Sequence, residues 1–325
     1  MTTGPSRKDR RGPPPGRRAA PAGPRHRAEA RRRVESPGQS PPSDPRRIAL
    51  AATLACLLEA SAEKAGNVTP TRSFADTAFL DFVWSGLAAG PVVAQARPGR
   101  VGESVYRAVM ATRRVTPRNT NLGMLLLLAP LAAAASLRGE GSLRDRVRRV
   151  LAGLGRADAS WVYRAIRRAR PGGLGRARVG DVRGPPRLGL REAMALAADR
   201  DAVAAEYVRD FAVTFDLALP ALRRALARRS SLLEAVARAH LDLLARVPDT
   251  LIARKAGHDV AREISAQARA VLRAGGPATD HGRAEAERLD QRLRDPANRL
   301  NPGTTADLLA AALFCWLLEE KEPLK

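Results

Sequence analysis

Aromatic residues make up only 4% of this 325-residue chain, and it has just two cysteines and five lysines. Each shortage excludes something. Cys56 and Cys315 are too few for a disulfide scaffold, and both sit in apolar segments; they read as reduced core residues of a cytoplasmic protein. With so few Tyr, Trp and Phe, little is available to stack on nucleic-acid bases. The longest apolar run, Leu122 to Ala135, has 14 residues and contains Pro130. A bilayer needs about 20 apolar residues, so no membrane span is expected. Ile is scarce too, and no stretch alternates as a half-buried strand would.

What is abundant is Ala, Leu and Arg. Ala and Leu lose little on entering a helix, and apolar residues recur at three- and four-residue spacing. That period starts with Leu50, Leu54, Leu57 and Leu58. It continues through roughly 75–95, 101–115, 122–137, 143–154, 158–169, 190–228, 230–246, 257–273, 281–294 and 304–319. Gly, Pro and Asn punctuate the segments, as in Pro171–Gly175 and Asn301–Gly303. The fold class is therefore all-α, with about ten or more helices in a single globular domain over residues 47–325. Ahead of it, residues 1–47 carry ten prolines, and 13 Lys and Arg against 4 Asp and Glu. So little apolar surface cannot offset the entropy of ordering. Residues 1–46 read as a disordered tail without the apolar core of a secretory signal.

The net charge of +23 points first to nucleic acid. The basic residues, however, are 51 Arg against 5 Lys. Arg, Ala, Gly and Pro all have GC-rich codons, so coding bias accounts for much of the excess. Lys and Asn have AT-rich codons, which makes their survival informative. Of the five asparagines (Asn67, Asn119, Asn121, Asn298, Asn301), four fall in short polar motifs, and so do Lys64 and Lys255.

Five such motifs sit at expected helix ends, where free N–H groups meet anions. The first runs from Glu59 through Glu63, Lys64 and Gly66 to Asn67; by itself it is an ordinary charged helix terminus with a Gly stop. Asn119-Thr120-Asn121-Leu122-Gly123 opens the apolar helix. One N-cap needs one polar residue, and three in a row indicate a loop facing a ligand. Pro171–Gly175 suits helix termination or a close backbone approach to a ligand. In the fourth, Asp249-Thr250 leads to Arg254, Lys255 and Gly257, with the cations placed for phosphate oxygens. The fifth, Asn301 to Asp307, makes a capping box if Thr304 is the N-cap. Asp76, Asp81, Asp199, Asp201 and Glu206 read as solvated carboxylates by default. His26, His240, His258 and His281 show no metal spacing, and no Walker loop or Gly-x-Ser-x-Gly is present.

In their order and spacing these motifs resemble the triphosphoribosyl-dephospho-CoA synthase family, from about Ala51 to Leu318. The residues that carry the likeness are Glu59 through Asn67, Asn119–Gly123, Asp249-Thr250 with Arg254 and Gly257, and Pro302-Gly303 with Ala306-Asp307-Leu308-Leu309. The resemblance implies an all-helical transferase that moves the triphosphoribosyl group of ATP onto the ribose 2′-hydroxyl of dephospho-CoA and releases adenine. It implies catalytic carboxylates at Asp249, Asp307 and Glu59. ATP and phosphate contacts fall to Lys64, Asn67, Asn119, Thr120, Asn121, Gly123, Arg254, Lys255, Gly303 and Thr304. Mg²⁺ is expected on Asp76, Asp249 and Asp307.

The chain departs from the family at one point. Better-known members read Asn-Thr-His-Lys-Gly where this sequence has Asn119-Thr120-Asn121-Leu122-Gly123. That exchange is more like the divergent branches associated with tetrahydromethanopterin or methanofuran synthesis, so a pterin or furan cofactor precursor is an alternative acceptor. A helical RNA-binding module anchored by the basic tail is the alternative of another class. Deleting residues 1–47 separates the classes: a transferase keeps its activity, whereas a tail-driven binder loses most of its salt-dependent affinity.

Overall fold

The fold is that of a computed structural model describing residues 39–40, 43–228 and 230–320. Most of the tail expected over 1–46 lies outside the described residues. Helix α1 (Pro45–Ser61) starts behind Asp44, whose carboxylate accepts from the Arg46 N–H at 3.0 Å. Pro45 takes the first position, where no N–H is needed. Next come α2 (Phe79–Val93), α3 (Val101–Val115), α4 (Leu122–Ala135), α5 (Leu143–Ala152) and α6 (Arg156–Ala169), where the apolar spacing marks helices. Two-residue strands, β1 (Gln39–Ser40) and β2 (Gly139–Glu140), form an antiparallel pair and the only sheet among the described residues.

The reading of 190–228 as one helical stretch is corrected. It divides into α7 (Leu190–Ala195), α8 (Ala202–Val208), a π-helical turn (Val213–Ala218) and α9 (Leu219–Leu226). Asp201 caps α8 by accepting from Val203 N–H at 2.9 Å. Asp210 and Phe211 then take left-handed backbone angles, φ 52° and 58°, which cost energy for non-glycine residues. Two contacts hold the bend. Phe211 is fully buried, and the Glu206 carboxylate accepts from the Val213 and Thr214 N–H groups at 2.8 Å each. Glu206 is accordingly a buried chain-reversal cap and not a solvated carboxylate.

The C-terminal part comprises α10 (Leu232–Arg246), α11 (Thr250–Ala256), α12 (His258–Arg273), α13 (Asp280–Leu293) and α14 (Gly303–Glu319). Helix α11 is the fourth polar motif itself, capped by Asp249 and ended by Gly257, with Arg254 and Lys255 in its last turn.

Helix α4 is apolar all round, the pattern of a helix with no solvent face. All its residues but Gly123 are buried, and it packs against α1, α2, α3, α5, α8 and α14. At about 1.5 Å per residue it spans roughly 21 Å. No helix among the described residues is long and apolar enough to cross a membrane. Helix α14, buried from Leu308 to Cys315, is the second central element and meets α1, α4, α9 and α10. Each fully buried leucine contributes about 1.5–3 kcal/mol, while Ala132–Ala135 and Ala310–Ala312 let the backbones close in. A smaller core of Leu244, Ile252, Ile264, Val271, Leu289 and Leu293 joins α10 to α11, α12 and α13.

One close approach ties α3 to α6. Asp158 accepts from the Gly102 N–H at 2.8 Å and from the Gly155 N–H at 3.3 Å, bridging both helix starts. A Cβ on Gly102 would stand 2.2 Å from the Asp158 carbonyl oxygen. Gly102→Ala must push the helices apart, at a cost of about 1–3 kcal/mol, read as a lower urea midpoint with an unchanged slope.

Candidate active site

The first turns of α4, α8, α11 and α14 open onto one cleft of about 300 Å³, closed on the far side by α6, α7 and an irregular strap over residues 170–189. One end is polar, with Asn119, Asp201, Arg254, Lys255, Thr304 and Asp307 in its wall. The other is apolar, with Leu122, Ile166, Leu174, Met194 and Leu196 among its lining.

Asp307 marks the floor of the polar end. It lies one turn into α14 and meets the start of α4 at Gly123. A Cβ there would lie 1.9 Å from Asp307 Oδ2, so only glycine admits the carboxylate. The Met124 N–H donates to it, and the positive end of the α4 dipole favours its charge. Burial wins over these contacts. Loss of water, then the nearby carboxylates of Glu59, Asp249 and Asp201, hold Asp307 well above the usual carboxylate range. It keeps a part-exposed edge on the cleft. The capping box expected from Thr304 to Asp307 does not form, because α14 begins at Gly303 behind Pro302.

The cations stand on the α11 wall. Arg254 reaches Asp201 Oδ2 at 2.9 Å. Lys255 Nζ donates to the Asn298 carbonyl at 2.8 Å and to Asn301 Oδ1 at 2.9 Å. Both partners are neutral, so Lys255 makes no ion pair there, and burial pushes its pKa down against the pull of Asp249, Asp295 and Asp76. The strap glycines press on this lysine: a Cβ at Gly172 would be 3.3 Å from Lys255 Cε.

Asn119, Gly123, Arg254, Lys255, Thr304 and Asp307 thus converge on the cleft. The other expected contacts do not line it. Asp249 is buried behind the α11–α14 wall with both oxygens engaged. Oδ1 accepts from the Leu251 and Ile252 N–H groups at 2.8 and 3.0 Å, and Oδ2 from the Thr305 N–H and hydroxyl at 2.7 and 2.8 Å. It staples two helix starts together and has no free lone pair aimed at a ligand. Glu59 and Lys64 form a buried ion pair at 3.1 Å, and Lys64 also donates to the Glu59 and Ala62 carbonyls. Expected on phosphate, this lysine instead closes the end of α1. Asn67 lies beside it, with its carbonyl accepting from Arg294 at 2.8 Å. Thr120 turns inward to the Ser85 hydroxyl at 2.6 Å, and Asn121 accepts from Thr112 at 3.2 Å. Of the expected loop, only Asn119 and the Leu122–Gly123 turn face the cleft. Gly303 packs under Leu251.

Asp76 is exposed and faces Arg118 at 3.5 Å. Among the described residues no three His, Cys, Asp or Glu side chains converge into a metal-holding group, so Asp76, Asp249 and Asp307 do not form one ligand set.

Sequence reasoning missed Arg200, took Asp201 for a solvated carboxylate, and left Asn301 out of the contacts. Asp201 carried a usable signal, since Asp immediately before the apolar run Ala202–Ala205 is an N-cap pattern. Nothing in the sequence places His240, which is fully buried beneath the site near Lys64 and is hydrogen-bonded to the Pro302 backbone.

A family model described as ATP:dephospho-CoA triphosphoribosyl transferase matches residues 45–325. The chain belongs to this family. It is 30% identical over 216 residues to a Pseudomonas fluorescens protein provisionally named 2-(5''-triphosphoribosyl)-3'-dephosphocoenzyme-A synthase, covering 66% of this chain and 65% of the relative. A 2-(5''-triphosphoribosyl)-3'-dephosphocoenzyme-A synthase of Klebsiella pneumoniae is 39% identical over 98 residues, 30% of this chain and 34% of that one. The matched stretches therefore span from about a third to just under two thirds of these curated relatives. A crystal structure from Archaeoglobus fulgidus, provisionally described as a triphosphoribosyl-dephospho-CoA synthase, superposes with TM-score 0.56 and 26% identity. The superposition covers 72% of this chain and 97% of that one. Family membership agrees with the resemblance carried by the helix-end motifs.

Burial and the nearby Lys64 push the His240 pKa down to about 3 from 6.5. The native imidazole is therefore neutral, while the unfolded one protonates below 6.5. Its contribution is complete above pH 6.5 and is lost as pH falls towards 3, by about 1.4 kcal/mol per unit. Urea midpoints at pH 7 and pH 4.5 should fall further for the wild type than for His240→Gln.

Proposed function

We propose that the cleft transfers the 5-triphosphoribosyl group of ATP to a hydroxyl of a cofactor precursor, 3'-dephospho-CoA being the first candidate, with release of adenine. The observation that carries this reading is Asp307. It is a carboxyl of raised pKa on the floor of a cleft whose facing wall presents Arg254 and Lys255.

In the reaction the ribose C1–N bond of ATP breaks and its electron pair leaves with adenine, which takes up a proton. The sugar passes through an oxocarbenium-like state, and the acceptor oxygen bonds to C1. An anionic oxygen of Asp307 beside C1 stabilises that cation electrostatically. A carboxyl titrating above the usual range also accepts the proton of the attacking hydroxyl more readily. Arg254 and Lys255 hold the triphosphate, one by paired hydrogen bonds and one as a point charge. Asp249 acts on the site by fixing α11 against α14, and so the cations against Asp307. Asn119 and Thr304 offer polar groups to the nucleotide. Mg²⁺ keeps substrate oxygens and waters among its ligands and needs only one or two carboxylates. Asp307 and Asp201 in the same cleft fit that need. They would hold the ion, which neutralises phosphate charge when bound.

Leu122 favours a second reading. It is a buried aliphatic on the cleft wall where the resemblance leads one to expect lysine. A less anionic acceptor, such as a pterin or furan precursor on the same triphosphoribosyl chemistry, suits that wall better.

The test is to incubate the full chain with Mg-ATP and each acceptor and to follow adenine against ADP, AMP and pyrophosphate. Adenine release with dephospho-CoA is expected for the first reading, and only with a pterin or furan precursor for the second. ADP or AMP in its place would overturn both. Asp307→Asn should lose roughly 10²–10⁴-fold in turnover yet unfold at higher urea. The native fold resists ionising this carboxyl, so above its unfolded pKa the wild type is destabilised and the amide is not. Undiminished adenine release by Asp307→Asn would remove the assignment.

A further inference from the structure

A second hollow of about 300 Å³ lies on the α3–α6 surface. Arg113, Arg164, Arg167, Arg168 and Arg170 line it, with Tyr106 at its base. No carboxylate borders it, and none of the five arginines makes an ion pair among the described residues. Other arginines of the chain, such as Arg72, Arg144, Arg191, Arg254 and Arg294, each face a carboxylate. Still others, among them Arg138, Arg146, Arg238 and Arg273, make no ion pair among the described residues but line neither hollow. Here five are gathered without a carboxylate.

Three of the five guanidiniums are also held in place by uncharged groups. Arg164 lies over the Trp161 ring at 4.3 Å and the Tyr106 ring at 4.8 Å. Arg113 donates to the Pro117 carbonyl and Arg167 to that of Val182. These contacts orient positive charge without neutralising it. Like charges that are fixed close together raise the energy of the empty hollow, and a multivalent anion removes that repulsion.

We infer that this hollow is a binding site for a compact polyphosphate anion, distinct from the cleft. The recognised chemistry is the phosphate chain and not a base, because Arg164 already covers the ring faces on which a base would stack. Free inorganic triphosphate and the tail of a nucleoside triphosphate share that chemistry. The site also touches the cleft's cover: Arg167 holds Val182 of the strap, and Arg170 is the residue from which the strap departs. An anion drawing these two arginines together therefore bears on the strap from outside.

The test uses calorimetric titration of the full chain with inorganic tripolyphosphate, with ATP, and with a short single-stranded oligonucleotide. Wild type should show two classes of tripolyphosphate site. Lys255→Ala should weaken the cleft site and leave the outer one. Arg168→Glu, and separately Arg164→Ala with Arg168→Ala, should weaken the outer site by roughly tenfold or more and spare the cleft. Arg168→Glu reverses an exposed charge that makes no hydrogen bond or ion pair among the described residues, so it tests the site without disturbing the ring stack. ATP matching tripolyphosphate at the outer site identifies the triphosphate chain as the recognised group, and tighter tripolyphosphate binding identifies the free anion as its occupant. Unchanged titrations in both arginine variants would overturn the proposal. So would tighter binding of the oligonucleotide at matched phosphate concentration, which would make the surface a nucleic-acid one. Loss of cleft binding in Lys255→Ala bears only on the transferase reading.

Discussion

The hydrogen on Gly123 Cα is the constraint on which the site depends. It lets the first turn of α14 lie against the first turn of α4, with a carboxylate wedged where any side chain would collide. The arrangement is unfavourable in itself. Asp307 is short of water and stands near three other carboxylates, with one N–H to answer it. It persists because the two helices that carry it are apolar and almost wholly buried, and their buried leucines and alanines hold the junction shut. The core therefore has a chemical as well as a structural role. The same packing that stabilises α4 and α14 holds one carboxyl above its usual titration range.

A layer of neutral positioning surrounds that acid. Asp249 gives all its acceptor capacity to two helix starts, and the Thr250 hydroxyl accepts from the Ala202 N–H and donates to the Thr304 hydroxyl. Three of the four helices that open on the cleft are thereby joined by short polar contacts, and the fourth is joined through Gly123. A shift in one helix start moves the others.

Much of the fold was legible because helix periodicity survives in a sequence with few strand formers. The long 190–228 segment was misread for a local reason. Its bend rests on Asp210 and Phe211, and neither is the glycine that usually announces a left-handed turn. The decisive partner, Glu206, looks like any surface acid until Val213 and Thr214 are seen to bond to it. The site was legible at its helix ends, where Asn119, Gly123, Lys255 and Asp307 stood out as polar or glycine positions in apolar company. Thr120, Asn121 and Lys64 stood out in the same way, yet they serve the interior. Polar residues at helix starts are demanded equally by ligands and by unsatisfied backbone, and only the direction of each side chain tells the two uses apart. Composition likewise could not distinguish arginines answered by carboxylates from those gathered without one.

The strap over residues 170–189 has neither helix nor strand and carries five arginines. A few bonds moor it, among them Tyr163 to the Gly180 carbonyl at 2.8 Å and Arg156 to that of Pro186 at 3.3 Å. Exposed irregular chain of this kind opens at little cost in free energy. Within the helical domain it is therefore the natural point of cleavage for a trypsin-like protease, and the nicked halves would stay associated through α4 and α14. Occupants of the cleft would then be legible in the digestion pattern, as protection of a segment that takes no part in the chemistry.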